Sequence, residues 1–429
     1  MTNPVTNSAT DPDTRRAAGP MTGRAADPAS DPVTEPVPER VREALLAIAA
    51  PRCAYVYDRL RLRRAAAAVR AALPERGVLL YAVKANGHPD VLAALAAQVD
   101  GFEVASGGEL ALARIARAGI GSATLIAFGG PAKTETELEA AVEAEATVNV
   151  ESTLELRRLA VAAESAGVRV RVALRVNRPG AVLPGTHQMS GLPTPFGIDE
   201  AQLPEAVELA WGHPSLRLVG FALHGVSNNL DAQAHVAFVS DAVRWSVAAS
   251  ARFGIQLDVV NIGGGFGVDY TGLQRFDLAV LAKGLAAAVA QLPGQTRLVI
   301  EPGRLLTADA GWYAAEVMDL KHTQGRWFAV LRGGTHHFRL PAAWGYSHPF
   351  TVLPVDAWTR PYDRYEVRDA RIDVVGELCT PRDVLARDYP VDRIRVGDLV
   401  VFGRAGAYGW DISHHEFLRH DPPQFLITG

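Results

Sequence analysis

The sequence alternates short apolar runs with amphipathic stretches from about residue 79 onward, and this rhythm is the strongest constraint on the fold. The runs predict eight strands, at residues 79–83, 102–104, 124–127, 147–150, 170–176, 218–223, 259–262 and 298–301. Helical patterns lie between most of them, for example at 135–143 and 152–166. About eight strand–helix units over roughly 220 residues are typical of an α/β fold of the (β/α)8 TIM-like barrel type. A doubly wound parallel sheet is the alternative.

The pattern changes after residue 304. Strand-like runs at 327–331, 365–367, 371–375 and 399–402 are separated by Pro and Gly turns, and helical periodicity is scarce. This predicts a C-terminal β-rich domain, to which residues 54–57 add a strand. We therefore expect the barrel at 58–304 and the β-rich domain at 39–57 and 305–429. Residues 1–38 are rich in Pro, Thr, Ala and Asp without a period, which predicts a disordered N-terminal tail.

Composition excludes several classes of protein. Hydrophobic residues make up 48% of the chain and charged residues 21%, as in an ordinary globular protein. The net charge of -4 gives no general attraction to nucleic acid or to an anionic membrane. No apolar stretch approaches the roughly 20 residues of a membrane helix. Two cysteines, Cys53 and Cys379, are too few for a disulfide scaffold, so we expect a cytoplasmic protein.

Polar and glycine-rich motifs follow six of the eight predicted strands. In a (β/α)8 barrel, catalytic residues lie at the C-terminal ends of the strands. The residues found there are Lys84 after the first strand, Glu103 and Ser106 at the second, Arg175 in the fifth, His224 after the sixth, Gly263, Gly264 and Gly265 after the seventh, and Glu301 and Arg304 at the eighth. The sequence therefore predicts an active site at this end of the barrel.

The residue types limit the chemistry of that site. Lys84 closes an apolar strand, as either a Schiff-base lysine or a lysine that extends its amine into water. The three glycines after the seventh strand offer backbone N–H groups to an anion. They match neither a Walker loop nor the position of a dinucleotide fingerprint. A buried Glu301 needs a cation, which Arg304 or a protonated pyridine nitrogen could supply.

Seven motifs run in order from about residue 50 to the C-terminus. They are Tyr81-Ala-Val-Lys-Ala-Asn86, Ser106-Gly-Gly-Glu109, His224-Gly-Val-Ser227, Gly263-Gly-Gly-Phe-Gly267, Glu301-Pro-Gly-Arg304, Gly376-Glu-Leu-Cys-Thr-Pro-Arg-Asp383 and Gly406-Ala-Tyr408. In this combination the chain resembles the alanine-racemase-like barrel family of pyridoxal-phosphate (PLP) enzymes. It resembles more closely the decarboxylase branch of that family, which acts on ornithine, arginine, diaminopimelate and related substrates.

The resemblance implies a role for each matching residue. Lys84 carries PLP, His224 stacks on its pyridine ring and Glu301 pairs with the ring nitrogen. The remaining cofactor contacts come from Glu103, Arg175, Ser227, Tyr408 and the backbone of Gly263, Gly264, Gly265, Gly303 and Arg304. Cys379 and Asp383 reach into the site of a partner subunit, so the resemblance implies a homodimer with shared active sites.

The pairing of Glu301 with the ring nitrogen favours decarboxylation over the alternatives. A carboxylate keeps that nitrogen protonated, which makes the ring a strong electron sink. The racemases of this fold place an arginine there. Cys379 can return a proton to Cα after CO₂ has left, so we expect Lys84, His224, Glu301 and Cys379 to be catalytic. An amino-acid racemase or epimerase and a non-catalytic PLP-binding protein are the alternatives.

The loop after Cys379 bears on the substrate. Diaminopimelate decarboxylases usually carry glutamate at the position of Thr380, and ornithine decarboxylases carry aspartate, to hold a distal ammonium. Arg339 corresponds to an arginine that binds the distal carboxylate of diaminopimelate. We expect substrate contacts from Arg304, Arg339, Thr380, Asp383 and Tyr408.

The pair His336-His337 and the Cys-Thr-Pro pattern resemble decarboxylases of siderophore and other specialised pathways. We therefore predict a decarboxylase of an α-amino acid or conjugate with a polar or carboxylated distal group, with diaminopimelate as the alternative substrate. No metal site is predicted, because the paired histidines have no third ligand at a standard spacing.

Overall fold

The computed structural model describes residues 36–118, 124–179, 185 and 187–429. The α-helices are α1 Glu39–Leu46, α2 Arg59–Ala71, α3 Pro89–Ala96, α4 Gly107–Ala118, α5 Glu135–Glu143, α6 Thr153–Ser165, α7 Leu203–Gly212, α8 Ala232–Phe253, α9 Leu278–Val289, α10 Arg304–Thr307 and α11 Leu340–Trp344. The strands are β1 Cys53–Asp58, β2 Gly77–Ala82, β3 Gly101–Val104, β4 Leu125–Phe128, β5 Thr147–Val150, β6 Val170–Asn177, β7 His187–Gln188, β8 Ile198–Asp199, β9 Leu216–Ala222, β10 Val226–Ser227, β11 Val259–Asn261, β12 Arg297–Ile300, β13 Gly311–Thr323, β14 Arg326–Leu331, β15 Phe350–Leu353, β16 Glu366–Val375, β17 Val384–Arg395, β18 Leu399–Phe402 and β19 Gln424–Thr428.

Eight parallel strands close into a barrel. Their order is β5-β4-β3-β2-β12-β11-β9-β6, and β5 pairs with β6 to complete the ring. The predicted (β/α)8 barrel is thereby confirmed, and the doubly wound sheet is excluded because such a sheet stays open. All the predicted barrel strands are present with shifts of one or two residues at their ends. Parallel pairing places the C-terminal ends of these strands on one face.

A second sheet contains β1 and β13 to β19. Its main path is β15-β18-β13-β14-β16-β17, and β1 pairs with both β13 and β19. This confirms the predicted β-rich part and the contribution of residues 54–57 to it. Both sheets lie in one compact unit, so the domain boundaries at residues 58 and 304 stay a prediction.

Local sequence explains where the barrel helices begin. Thr134 and Glu137 form a capping box at the start of α5, and the hydroxyl of Ser152 caps α6. The barrel strands are buried along nearly their whole length, as β3 and β9 show, because helices cover the outside of the ring. The apolar faces of strands and helices share one extended core.

The structure differs from the sequence prediction in several details of the second sheet. Strand β13 is 13 residues long and was not predicted, and β16 joins the two strands predicted at 365–367 and 371–375.

Within the predicted tail, residues 1–35 lie outside the described residues. Among the described helices, none is long and apolar enough to cross a membrane.

Candidate active site

Lys84 lies at the mouth of the barrel. It follows β2 in the short 3-10 helix Val83–Ala85, and its amine contacts both carboxylate oxygens of Glu103, at 2.6 and 2.9 Å. Desolvation lowers the pKa of the Lys84 amine, while the carboxylate of Glu103 raises it. The charge of Glu103, its hydrogen bond to the amine and the charge of Glu301 together outweigh the desolvation, so the pKa lies above its ordinary value. Glu103 thus aligns the amine with the mouth.

Glu301 is a buried carboxylate at the end of β12. Its side chain accepts a hydrogen bond of 2.5 Å from the amide of Asn261, which ends β11. Burial raises the pKa of Glu301 to about 7, and the charge of Glu103 adds to the rise. Among the described residues no lysine or arginine forms an ion pair with Glu301. Arg304, the protein cation considered from the sequence, binds elsewhere, so the carboxyl group could pair with a cation from a ligand.

His224 and the glycine run after β11 form one wall of the mouth. The Nδ1 atom of His224 accepts a hydrogen bond from the N–H of Gly264 at 3.2 Å. Burial holds the pKa of His224 well below its ordinary value, and the charge of Arg175 lowers it further. The ring is therefore neutral, with its remaining proton on Nε2. A Cβ at Gly263 would lie 2.1 Å from this Nδ1, so only glycine fits beside the ring.

Arg304 organises an anion niche beside this wall. Its guanidinium donates to the hydroxyl of Ser227 at 3.0 Å and to Tyr270 at 3.4 Å, and it lies 4.6 Å from the ring centre of Tyr408. Tyr408 is anchored by its N–H, which donates to the carbonyl of Ala85 at 2.8 Å. The niche is thus tied to the turn that carries Lys84.

The backbone N–H groups of the glycine run do not all point into this niche. Those of Gly263 and Gly264 donate to Asn261 and His224. Within the described chain, the N–H of Gly265 has no protein partner. Of the three predicted phosphate donors, the geometry therefore leaves Gly265 free to bind an anion. A Cβ at Gly303 would lie 2.8 Å from that of Ala85, which explains the glycine before Arg304.

Arg175 lies beside the mouth without binding Glu301 directly. Its guanidinium contacts Glu151 at 2.7 Å and stacks 5.1 Å from the ring centre of Phe196. Its charge nevertheless lowers the pKa values of both His224 and Glu301. Arg175 therefore adds positive charge near the mouth from a fixed position.

The other predicted residues form a second group around a separate cleft. Thr380 and Arg339 line a cavity of about 720 Å³, and none of the mouth residues described above lines it. Cys379, next to Thr380, is an exposed free thiol. A single chain therefore does not unite the two groups. We call this cavity the distal cleft; its other lining residues are Thr335, Pro341, Ala342, Ala343, Gly345, Tyr346, Ser347, Arg382, Val384, Leu385, Ala386, Arg387 and His414.

Asp383 has a position that does not suit its predicted contact with the substrate. It is 2% exposed, and its carboxylate accepts hydrogen bonds from the N–H groups of Thr335 at 2.6 Å and Leu378 at 2.8 Å. These bonds join the segment before α11 to the loop that carries Cys379. In the single chain Asp383 therefore positions that loop, and its contact with a substrate stays a prediction.

Two residues of the mouth were missed from the sequence. Asn261 orients Glu301, and Tyr270 supports Arg304. Asn261 could have been found, because it directly precedes the glycine run and a buried carboxylate requires a donor. No local pattern marked Tyr270, which reaches the niche from the loop between β11 and α9.

The mouth offers the groups that PLP requires. Lys84 supplies an amine for a covalent link, and Glu301 is a buried carboxyl group without a protein cation. His224 presents a neutral flat ring, and Gly265 with Ser227 provides donors for a phosphate. The glycine run leaves a space that a Cβ would fill. These residues fit PLP. In the described part of the chain, no group of three His, Cys, Asp or Glu residues is arranged for a metal ion.

Comparison with known proteins identifies the family. Residues 59–308 match the family model described as the pyridoxal-dependent decarboxylase, pyridoxal binding domain. The chain is 39% identical over 391 residues to the 2-[(L-alanin-3-ylcarbamoyl)methyl]-2-hydroxybutanedioate decarboxylase of Staphylococcus aureus, covering 90% of this chain and 96% of that one. It is 33% identical to the L-glutamyl-[BtrI acyl-carrier protein] decarboxylase of Niallia circulans, with 75% and 76% covered.

A solved structure agrees with these relatives. Diaminopimelate decarboxylase from Helicobacter pylori, complexed with L-lysine, superposes with a TM-score of 0.79 at 25% identity, covering 90% of this chain and 93% of that one. The predicted resemblance to PLP decarboxylases is thereby confirmed. The chain belongs to the pyridoxal-dependent decarboxylases and is an amino-acid decarboxylase with PLP as its cofactor.

Proposed function

We propose that this enzyme removes the α-carboxylate of an amino-acid conjugate whose distal end carries carboxylates. The observation that carries this proposal is the distal cleft, whose lining contains Arg339 and Thr380 but no Asp or Glu. A cleft without a carboxylate gives no anchor to a distal ammonium, whereas an arginine suits a distal carboxylate. The printed name of the Staphylococcus aureus relative describes such a substrate, with a 2-hydroxybutanedioate attached through an amide. We place the reaction in a siderophore-like or other specialised pathway.

Each residue of the mouth has a separate proposed role toward PLP. When bound, PLP supplies an electron sink for the charge left at Cα after CO₂ departs. Lys84 would hold the cofactor covalently. Glu301, oriented by Asn261, would keep a proton on the ring nitrogen, and the neutral ring of His224 would offer a flat face to the pyridine.

The phosphate is proposed to bind in the niche beside this wall. The hydroxyl of Ser227, the N–H of Gly265 and the backbone at Gly303 and Arg304 surround it. Tyr408 closes the niche from the Lys84 turn. Glu301 takes no part in this phosphate niche, so replacing the Glu301 carboxylate should leave phosphate binding intact.

Cys379 is proposed to act in the site of a partner subunit. Its thiol is exposed and lies in the loop at the distal cleft, apart from Lys84. A homodimer that brings this loop to the other mouth would supply the missing proton donor. A reducing compartment keeps an exposed thiol free, which supports a cytoplasmic location.

Replacement of Cys379 by alanine is expected to lower kcat for CO₂ release by about a hundred- to ten-thousandfold, because the return of the proton to Cα loses its donor. In D₂O the variant should also lose the stereochemical purity of the α-deuterated amine. Cys53→Ala, which removes the other thiol, is the matched control. Mixing the Cys379→Ala and Lys84→Ala proteins should restore about a quarter of the activity if sites are shared. Absence of any recovery would contradict the shared site.

The substrate is tested with the PLP-loaded enzyme and a panel of amino acids. Ornithine, lysine, arginine, diaminopimelate and the amide conjugate of 2,3-diaminopropionate with citrate are compared by kcat/KM for CO₂ release. We expect the conjugate to exceed the others by at least about a hundredfold, since only it has two distal carboxylates for the cleft. A higher value for diaminopimelate would overturn the substrate assignment. Exchange of the Cα proton without CO₂ release would instead show a racemase.

A further inference from the structure

The distal cleft contains three arginines that lack anionic partners. Arg339, Arg382 and Arg387 line it and are exposed. Within the described residues, none of the three forms an ion pair with an Asp or Glu. Arginines on the neighbouring strands differ in this respect, because Arg371 pairs with Asp388 and Arg393 with Glu366. The cleft therefore concentrates positive charge that the protein itself does not neutralise.

The cleft also contains His414, whose pKa is affected by the charge of Arg339. Burial lowers the pKa of His414, and the charge of Arg339 lowers it further. His414 is consequently neutral near pH 7 and able to donate or accept a hydrogen bond. Asp383 does not line the cleft, and its buried carboxylate accepts hydrogen bonds from backbone N–H groups. A dianion entering the cleft would thus find unopposed guanidinium groups and a neutral imidazole.

The distal cleft is connected to the mouth through helix α11. The loop that carries Cys379 bounds one side, with Thr380 and Arg382 in the lining. Helix α11 bounds another side, and its Trp344 ring lies 5.1 Å from the guanidinium of Arg304 at the mouth. A trans amide spans about 3.8 Å and each flanking C–C bond about 1.5 Å, so the hydroxyl-bearing carbon of the conjugate stands roughly 6 Å from Cα. This separation requires a distal subsite beside the mouth.

We propose that Arg382 and Arg387, together with Arg339, form this subsite and bind the two distal carboxylates of the substrate. The inference rests on the proposed function and specifies its substrate class as conjugates ending in a hydroxydicarboxylate. One arginine can bind one carboxylate with two parallel hydrogen bonds. Two carboxylates carry two negative charges, and the single positive charge of Arg339 balances only one of them. Arg382 and Arg387 are specificity-determining residues that leave the bond-breaking step unaffected.

The test compares the holoenzyme with Arg382→Gln, Arg387→Gln and the double variant, and Arg64→Gln on α2 serves as an exposed arginine control. For the conjugate we expect KM to rise about ten- to a hundredfold in the double variant, while kcat stays within about threefold. The dimethyl ester of the two distal carboxylates should show the same KM in all variants. In the parent, KM for the conjugate should rise with ionic strength.

Calorimetric titration with citrate separates this inference from the proposed function. We expect citrate to bind the parent and the Arg64→Gln protein, and to bind the double variant at least about tenfold more weakly. If the conjugate is not a substrate but citrate binding still depends on these arginines, the proposed function fails and the subsite stands. An unchanged KM for the conjugate in the double variant would overturn the subsite. Dissociation of the assembly in sedimentation, with equal losses for all substrates, would also overturn it and identify the arginines as subunit contacts.

Discussion

Replacement of Lys84 by alanine is expected to lower CO₂ release by at least about a thousandfold, because no other amine reaches the mouth to hold the cofactor covalently. Among the described residues, the buried Lys133 is bound to Glu155 at 2.6 Å and stays in its own ion pair. The visible absorbance of lysine-bound PLP should vanish with the activity. Both readouts are measured on the same PLP-treated protein.

Lys283→Ala is the matched control for this change, since Lys283 is exposed on α9. In the parent and in this control, borohydride treatment should add the mass of the reduced cofactor to the peptide that contains Lys84. Attachment to a different lysine would refute the assignment. The same experiment on Glu103→Gln should show faster attachment at neutral pH, because the carboxylate that raises the pKa of the amine is lost and more of the amine is unprotonated.

The barrel could be predicted from sequence because its signals are local. Each strand is a short apolar run, and polar residues such as Lys84, His224 and Glu301 follow directly after the strands. Once parallel pairing is inferred, the convergence of these residues needs no further information. The hydrogen bonding of the glycine run could not be predicted from the sequence. Gly265 alone of the three glycines keeps an unbonded N–H, because the side chains of Asn261 and His224 accept hydrogen bonds from the other two.

The β-rich sheet was harder to predict because its strands depend on distant partners. Strand β13 contains good helix formers, including Glu316 and Met318, and its sequence shows no clear alternation. It is a strand because β1, β14 and β18 pair with it, and tertiary context overrides propensity. The contacts of Asp383 could not be predicted for the same reason. Nothing in its motif indicates that the N–H of the distant Thr335 would bind its carboxylate.

Replacement of Glu301 by glutamine is expected to lower kcat by about a hundred- to a thousandfold while PLP still binds. Glutamine keeps the shape and can accept the bond from Asn261, but a neutral amide cannot hold a proton on the ring nitrogen. Ser227 and Arg304, the residues proposed to bind the phosphate, are untouched, so cofactor affinity should change little. Glu139→Gln, an exposed change on α5, is the control. An unchanged kcat in Glu301→Gln would contradict the role of the ring carboxylate.

Glu301→Gln, which should lower kcat, is expected to raise the free energy of unfolding relative to the parent as pH increases. Burial raises the pKa of Glu301 to about 7, and the neighbouring charge of Glu103 adds to this, whereas an unfolded glutamate titrates near 4.3. The folded state binds the proton more tightly, so the carboxyl group contributes stability at acid pH that is lost as pH rises through about 7. In cofactor-free protein, urea unfolding should show that Glu301→Gln gains stability relative to the parent between pH 5 and pH 8. A stability difference that is equal at both pH values would refute the buried, unpaired carboxyl group. If Glu301→Gln is more stable than the parent at pH 8, the carboxylate of Glu301 destabilises the barrel, and its value to the protein lies in its action on the cofactor.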